Sequence, residues 1–142
     1  MSGACEGCRR VEEGRKSPLF IHEFPSSFLF LGDHQFFKGY SVLMLKRHQR
    51  EWTDLAAEAQ HQMFEELSAA TRAVEAAFNP WKMNHACLGN QLQHVHWHLM
   101  PRYEGDPDRL QHPWTRMEKF KDNIPNPKVR DESIQAIRSR LP

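Results

Sequence analysis

Apolar positions along this chain follow two rhythms. From Pro18 to Glu23, Ser27 to Leu31 and Tyr40 to Leu45, short runs rich in Phe, Leu, Ile and Val are separated by Pro25-Ser26 and by the turn Leu31-Gly32-Asp33-His34-Gln35. Such runs bounded by turn formers predict strands. The third run has Gly39 at its entrance and ends at Lys46-Arg47-His48. The period then changes. Leu55, Met63, Leu67, Ala70, Val74 and Phe78 recur at three- and four-residue intervals, which is one face of a long helix. Thr53-Asp54 is the expected cap of that helix and Asn79-Pro80 its end. A further strand is expected over Trp81 to Ala86, a turn at Leu88-Gly89-Asn90, and another strand over Gln93 to Arg102. After a loop rich in Asp and Pro and a linker at Asn123 to Pro127, Asp131 is expected to cap a terminal helix with Ile134, Ile137 and Leu141 on one stripe. The class is α+β.

The strand over Gln93 to Arg102 carries the chemistry. Side chains alternate along a strand, so Val95, Trp97 and Leu99 share one face while His94, His96 and His98 share the other. The apolar set is explained by packing against the long helix. Three histidines in register are not, because a solvated face would take Lys, Thr or Glu equally well. One possibility is a metal site, since His-x-His presents two imidazoles to one ion. Using all three is harder: four steps along a strand span about 13 Å, against metal–nitrogen bonds of about 2.1 Å. The row fits better as a surface along which an anionic substrate lies. Neutral imidazole is a good nucleophile near pH 7. The histidine-bearing face is therefore expected to stay open to substrate.

At 142 residues the chain suits one compact domain. A formal net charge of +1 gives no overall attraction for polyanions, so no nucleic-acid partner is expected and any anion site must be local. No apolar run is long enough to span a membrane, and Met1 to Arg10 lacks the apolar core of a signal peptide, so a cytoplasmic protein is expected. Three cysteines are an odd count, and a reducing compartment argues against a structural disulfide. Cys5-x-x-Cys8 has the spacing of a metal half-site or a redox pair; two free thiols on a frayed terminus would look the same.

His94-Val95-His96-Trp97-His98-Leu99-Met100 resembles the signature of the histidine triad (HIT) family of nucleotide hydrolases and transferases, in which three histidines alternate with apolar residues. Asn84-His85-Ala86-Cys87-Leu88-Gly89-Asn90 before it and Pro101-Arg102-Tyr103 after it resemble a bacterial HIT hydrolase branch. The resemblance covers roughly residues 20 to 114. It implies an antiparallel sheet of about five strands with the long helix on one face, a HIT domain over residues 1–115, and a C-terminal extension over residues 116–142. It implies a nucleotidyl-histidine mechanism on a dinucleoside polyphosphate or nucleoside phosphoramidate, with His96 as nucleophile and His94 and His98 as its partners. Asn84, Gly89, Asn90 and His98 would line the phosphate site. Asp33 stands roughly where the family binds ribose hydroxyls, though an ordinary turn aspartate fits that place too. Some HIT branches hold a structural zinc, and the corresponding residues here are Cys5, Cys8, His48 and His94. A catalytic metal is not expected; a homodimer is. Trp114 would close over substrate or simply pack. Two departures stand out: Gln91 lies where Ser or Thr often assists the leaving group, and Lys38 lies where proline often precedes the glycine. A non-catalytic nucleotide-binding module and a His-ligated metalloenzyme are the alternatives.

Overall fold

The computed structural model describes residues 5–142; the part of the signal-peptide expectation that concerns residues 1–4 lies outside them. Five strands form one sheet: β1 (Phe20–Glu23), β2 (Ser27–Leu31), β3 (Ser41–Leu45), β4 (Lys82–Ala86) and β5 (His96–Arg102). They lie in the order β1-β2-β3-β5-β4, and every neighbouring pair is antiparallel. The expected α+β class and strand number are both found. Among the described residues no helix is long and apolar enough to cross a membrane.

Three helices surround the sheet: α1 (Glu6–Glu13), α2 (Ala57–Phe78) and α3 (Pro127–Arg138). The sequence pattern gave no helix over Glu6–Glu13. Its signals are short but real: the Cys5 thiol accepts from the Cys8 amide at the N-terminus, Gly14 adopts φ +47° at the other end, and Glu6 pairs with Arg9 and Arg10 one turn on. In α2 the expected cap is displaced. Thr53 and Asp54 belong to a 3-10 turn, Trp52–Asp54, and the helix begins after Ala56, with the Gln60 amide donating to the Leu55 carbonyl. It ends as expected at Asn79, in the left-handed conformation with φ +48° before Pro80. Asp131 does not cap α3. Asn126 does, its Oδ1 accepting from the Val129 amide at 2.9 Å with Pro127 in the first turn, a stronger start signal than an aspartate five residues later.

α2 and α3 cover one face of the sheet. Leu67, Ala70 and Val74 of α2 and Ile134 and Ile137 of α3 pack with Ile21, Leu29, Leu31, Leu43 and Leu99. Val95 joins Leu45, Leu55 and Met63, and the Trp97 indole N–H points at the Met63 sulfur at 3.5 Å, so the apolar set of the triad segment meets α2 as expected. Within α2, Glu66 is buried and accepts from the Ser26 amide, the Ser26 and Ser27 hydroxyls and the Gln62 amide, stitching the helix to the β1–β2 turn.

The opposite face differs from expectation. It is not open but carries a second core of Phe28, Phe30, Phe37, Tyr40, Val42, Met44 and Met100, covered by Val11 of α1, Trp114 and Phe120. All five residues of β2 and all five of β3 are buried. The cause is in the sequence: Ser-Phe-Leu-Phe-Leu and Ser-Val-Leu-Met-Leu are apolar on both faces, so both faces need cover. Openings remain where His96 and His98 line one cavity and where Asn84 and Met100 line another.

Candidate active site

His96 and His98 stand on β5 with Met44 and Val42 of β3 beside them. His94 precedes the strand. Its amide donates back to the Leu92 carbonyl at 2.9 Å, and Val95 then pairs with Gln49 and Leu45, which returns the chain to the end of β3. The row of three histidines is thereby divided. The His94 ring is fully buried with Nδ1 3.5 Å from Cys5 Sγ and 3.7 Å from Cys8 Sγ, while His48 Nδ1 lies 3.3 Å from Cys8 Sγ. The rings of His96 and His98 lie side by side, 5.0 Å between centroids.

Cys5, Cys8, His48 and His94 place their four donor atoms within 4.8 Å of one another. A tetrahedral zinc with two thiolates and two imidazoles needs ligand separations of about 3.4 to 3.8 Å, so small adjustments suffice. The protonation pattern also fits. His94 Nε2 donates to the Leu45 carbonyl at 2.6 Å, which leaves Nδ1 bare and directed at the thiols. Gly7 between the cysteines is what allows this approach, because a Cβ there would lie 2.5 Å from the His94 ring.

The remaining histidines face a cavity of about 440 Å³. One side is the loop Leu88-Gly89-Asn90-Gln91-Leu92; the other is Trp114 and Met117 from the 3-10 segment Pro113–Asp122. Gly89 has φ +73°, a conformation that suits glycine, and lines the same cavity as the two histidines. His96 is 8 % exposed, and its Nδ1 donates to the His94 carbonyl at 2.7 Å. A carbonyl only accepts, so the proton sits on Nδ1 and Nε2 keeps its lone pair. His98 Nδ1 lies 2.7 Å from the Tyr40 hydroxyl, and Trp114 meets the His98 ring edge to face at 6.1 Å. Burial above all, then neighbouring His96 and His34, lower the His98 pKa to about 4. Burial raises that of Tyr40.

The residues expected to bind substrate are not all gathered here. Gly89, Asn90 and His98 line the cavity. Asn84 does not. It lies on β4, its Oδ1 accepts from buried Arg102 at 3.0 Å, and it lines a larger recess of about 710 Å³ with Trp81, His85 and Arg109 that contains none of the triad histidines. Asp33 is exposed in its turn, close enough for its charge to act on Tyr40 and His98. Gly32 beside it has no room for a side chain, because a Cβ there would overlap the Tyr40 ring. Sequence reasoning gave Tyr40 and Met117 no role. Tyr40 had one available signal, a strand-entry aromatic with a hydroxyl on the histidine-bearing face; Met117 had none. Arg102 also went unassigned, yet its guanidinium donates to the carbonyls of Asp108 and Gln111 and fixes the loop leading to Trp114.

A sheet with this order and a paired His-x-His on β5 is the architecture of the histidine triad class, and the comparisons agree. The HIT domain model matches residues 14–105, and the chain belongs to the HIT family. Solved structures share the fold. A Hit-like protein involved in cell-cycle regulation from Bartonella henselae aligns with TM-score 0.75 at 16% identity, over 99% of this chain and 98% of that one. A Zn-bound histidine triad family protein from Mycobacterium smegmatis aligns with TM-score 0.71 at 23% identity, over 97% and 93%. Diadenosine triphosphate hydrolase from Plasmodium falciparum aligns with TM-score 0.62 at 17% identity, over 87% and 76%. No curated protein matches the sequence.

Proposed function

We propose that this HIT protein is a nucleotide hydrolase that works through a covalent nucleotidyl-histidine on His96. The observation that carries the reading is the 2.7 Å hydrogen bond from His96 Nδ1 to the His94 carbonyl, which leaves Nε2 unprotonated on a ring beside a cavity. The substrate is a dinucleoside polyphosphate or a nucleoside phosphoramidate. Nε2 bonds to the α-phosphorus and the bond to the leaving group breaks, its electron pair departing with that group, which takes a proton from solvent if it is an amine. Water then attacks phosphorus, the nitrogen–phosphorus bond returns its pair to Nε2, and a nucleoside monophosphate leaves with the surplus proton passing to solvent. Dividing the displacement in two lowers each barrier. His98, the Asn90 side chain and the loop amides around Gly89 and Gln91 are the donors available to the phosphoryl oxygens, a role for which one donor is worth roughly 10²- to 10³-fold in rate. Asp33, whose charge reaches His98, is the carboxylate available to accept from ribose hydroxyls.

Cys5, Cys8, His48 and His94 would hold a structural zinc, whose chemistry is to tie α1 to the sheet and fix His94. Since the His94 carbonyl accepts the hydrogen bond from His96 Nδ1, holding His94 also holds the nucleophile. The same geometry disfavours a metalloenzyme that shares an ion between His94 and His96, because the His94 ring nitrogens are committed to the thiols and Leu45. The reading includes a homodimer formed along edge strand β4 and neighbouring α2, where Trp81 and Phe64 are exposed.

The test is His96→Asn. Hydrolysis of diadenosine triphosphate and of an adenosine phosphoramidate should fall at least about a thousandfold with the unfolding midpoint little changed. Near-normal turnover by that variant overturns the covalent mechanism. Binding of adenosine monophosphate by the wild-type protein with no turnover of either substrate would make it a binding module instead.

A further inference from the structure

The two cavity histidines each have one ring nitrogen engaged, but by partners of different kinds. The His94 carbonyl can only accept, which settles His96. The Tyr40 hydroxyl at 2.7 Å from His98 Nδ1 can donate or accept, so that contact alone leaves the His98 proton on either nitrogen. The surroundings of Tyr40 decide. The residue is 7 % exposed, its ring lies against Gly32 and stacks on His34 at 4.7 Å, and Phe120 stacks on the His34 ring at 4.1 Å. Among the described residues, His98 is the one hydrogen-bond partner of the Tyr40 hydroxyl. If that oxygen accepted from His98, its own proton would be shut in without an acceptor, which costs the full desolvation of the group. Tyr40 therefore donates.

We infer that Tyr40 is a positioning residue that holds His98 in its Nε2–H tautomer, so that the paired rings present opposite functions to one phosphoryl group. His96 offers the bare Nε2 that attacks, and His98 offers the Nε2–H that hydrogen-bonds a non-bridging oxygen as its charge grows. This deepens the hydrolase reading and rests on it for the identity of the acceptor. No proton leaves His98: the bond is donated and kept, and the electron pair of the breaking phosphorus bond goes with the leaving group. The groups facing His98 suit that role. His96 on the same strand, His34 from the β2–β3 turn and burial keep it uncharged at neutral pH, with the Asp33 charge opposing them, and Trp114 closes over the edge of its ring. A neutral imidazole has a single N–H, so which nitrogen holds it determines whether the cavity meets a donor or an acceptor. The burial that raises the Tyr40 pKa keeps its hydroxyl a donor throughout this range.

The experiment is long-range ¹H–¹⁵N NMR of the histidine rings at pH 7 in the full-length wild-type protein and in Tyr40→Phe. His98 should show the Nε2–H pattern in the wild type and shift toward Nδ1–H or a mixture in the variant. With diadenosine triphosphate as substrate, kcat of Tyr40→Phe should fall roughly ten- to hundredfold with KM changed less than about threefold. An Nδ1–H pattern for wild-type His98, or an unchanged Nε2–H pattern in Tyr40→Phe, overturns the inference. Because the tautomer is read without turnover, an inactive wild-type protein with Nε2–H at His98 would count against the hydrolase reading alone, and an active one with Nδ1–H against Tyr40 alone.

Discussion

Gly7 stands between the two cysteines of α1, and its substitution by alanine should destabilise the protein even though alanine is the better helix former. The added Cβ would lie 2.5, 2.6 and 2.7 Å from Cγ, Cβ and Nδ1 of His94, about 1 Å inside ordinary contact. His94 cannot retreat, since its ring is fully buried, its Nε2 is bonded to Leu45 and its amide to Leu92. Helix α1 must lift instead, loosening Cys8, which is 3 % exposed, and the Val11 contact with the second core. Overpacking of this kind costs about 1–3 kcal/mol, and a Cβ held against a ring that cannot retreat belongs in the upper half, about 2–3 kcal/mol; less the ~1 kcal/mol that alanine returns in propensity, a net loss of about 1–2 kcal/mol is expected. In a domain of this size that lowers Tm by roughly 3–8 °C. Hydrolysis should be little affected by comparison, because His94 and the carbonyl that orients His96 stay in place. Gly105→Ala is the control: nothing lies within 4 Å of its Cβ, and its Tm should stay within about 1 °C. Scanning calorimetry of both variants decides the matter. A Gly7→Ala protein as stable as Gly105→Ala would show that α1 does not press on His94.

Two further outcomes follow from buried groups. Glu66→Ala leaves four donors of the β1–β2 turn and α2 without their acceptor and should cost about 3 kcal/mol in urea unfolding; a loss under about 1 kcal/mol would contradict the stitching role. Acid should also weaken the fold. His98 is protonated near pH 6.5 when unfolded but only near pH 4 when folded, so its contribution is fully present above pH 6.5 and is lost as the pH falls towards 4. That contribution is on the order of 2 kcal/mol once the partial exposure of the ring is allowed for. His22, His34 and His85, each lowered first by burial, add to the same trend. Urea midpoints at pH 7 and 4.5 should converge when wild type is compared with His98→Asn, and parallel curves would refute the assignment.

How much of this was legible in the chain depended on whether the information was periodic. β5 announced itself through its period of two, and α2 through its three-and-four spacing, so the sheet, its long helix and the pairing of His96 with His98 followed directly. The division of the histidine row did not. His94 leaves the row because of a local turn onto Leu92 and a helix one turn too short to show a clear period. The closed histidine face was written in β2 and β3, where apolar residues occupy both faces, but the cover comes from irregular stretches around Phe37 and Pro113–Asp122 that carry no periodicity. Asn84 lines the neighbouring recess for a related reason: its register partner is Met100, its Oδ1 is engaged by Arg102 two residues further on, and neither contact can be read from its distance in sequence to the triad. The Tyr40–His98 pair joins residues 58 apart and needed the β3–β5 register before it could be seen.

The most direct measurement is mass spectrometry of the protein quenched within milliseconds of mixing with diadenosine triphosphate or an adenosine phosphoramidate. An acid-labile adenylyl group is expected on the peptide containing His96 and should be missing from His96→Asn. Rapid turnover with no such adduct, or an adduct mapped to another residue, would contradict it.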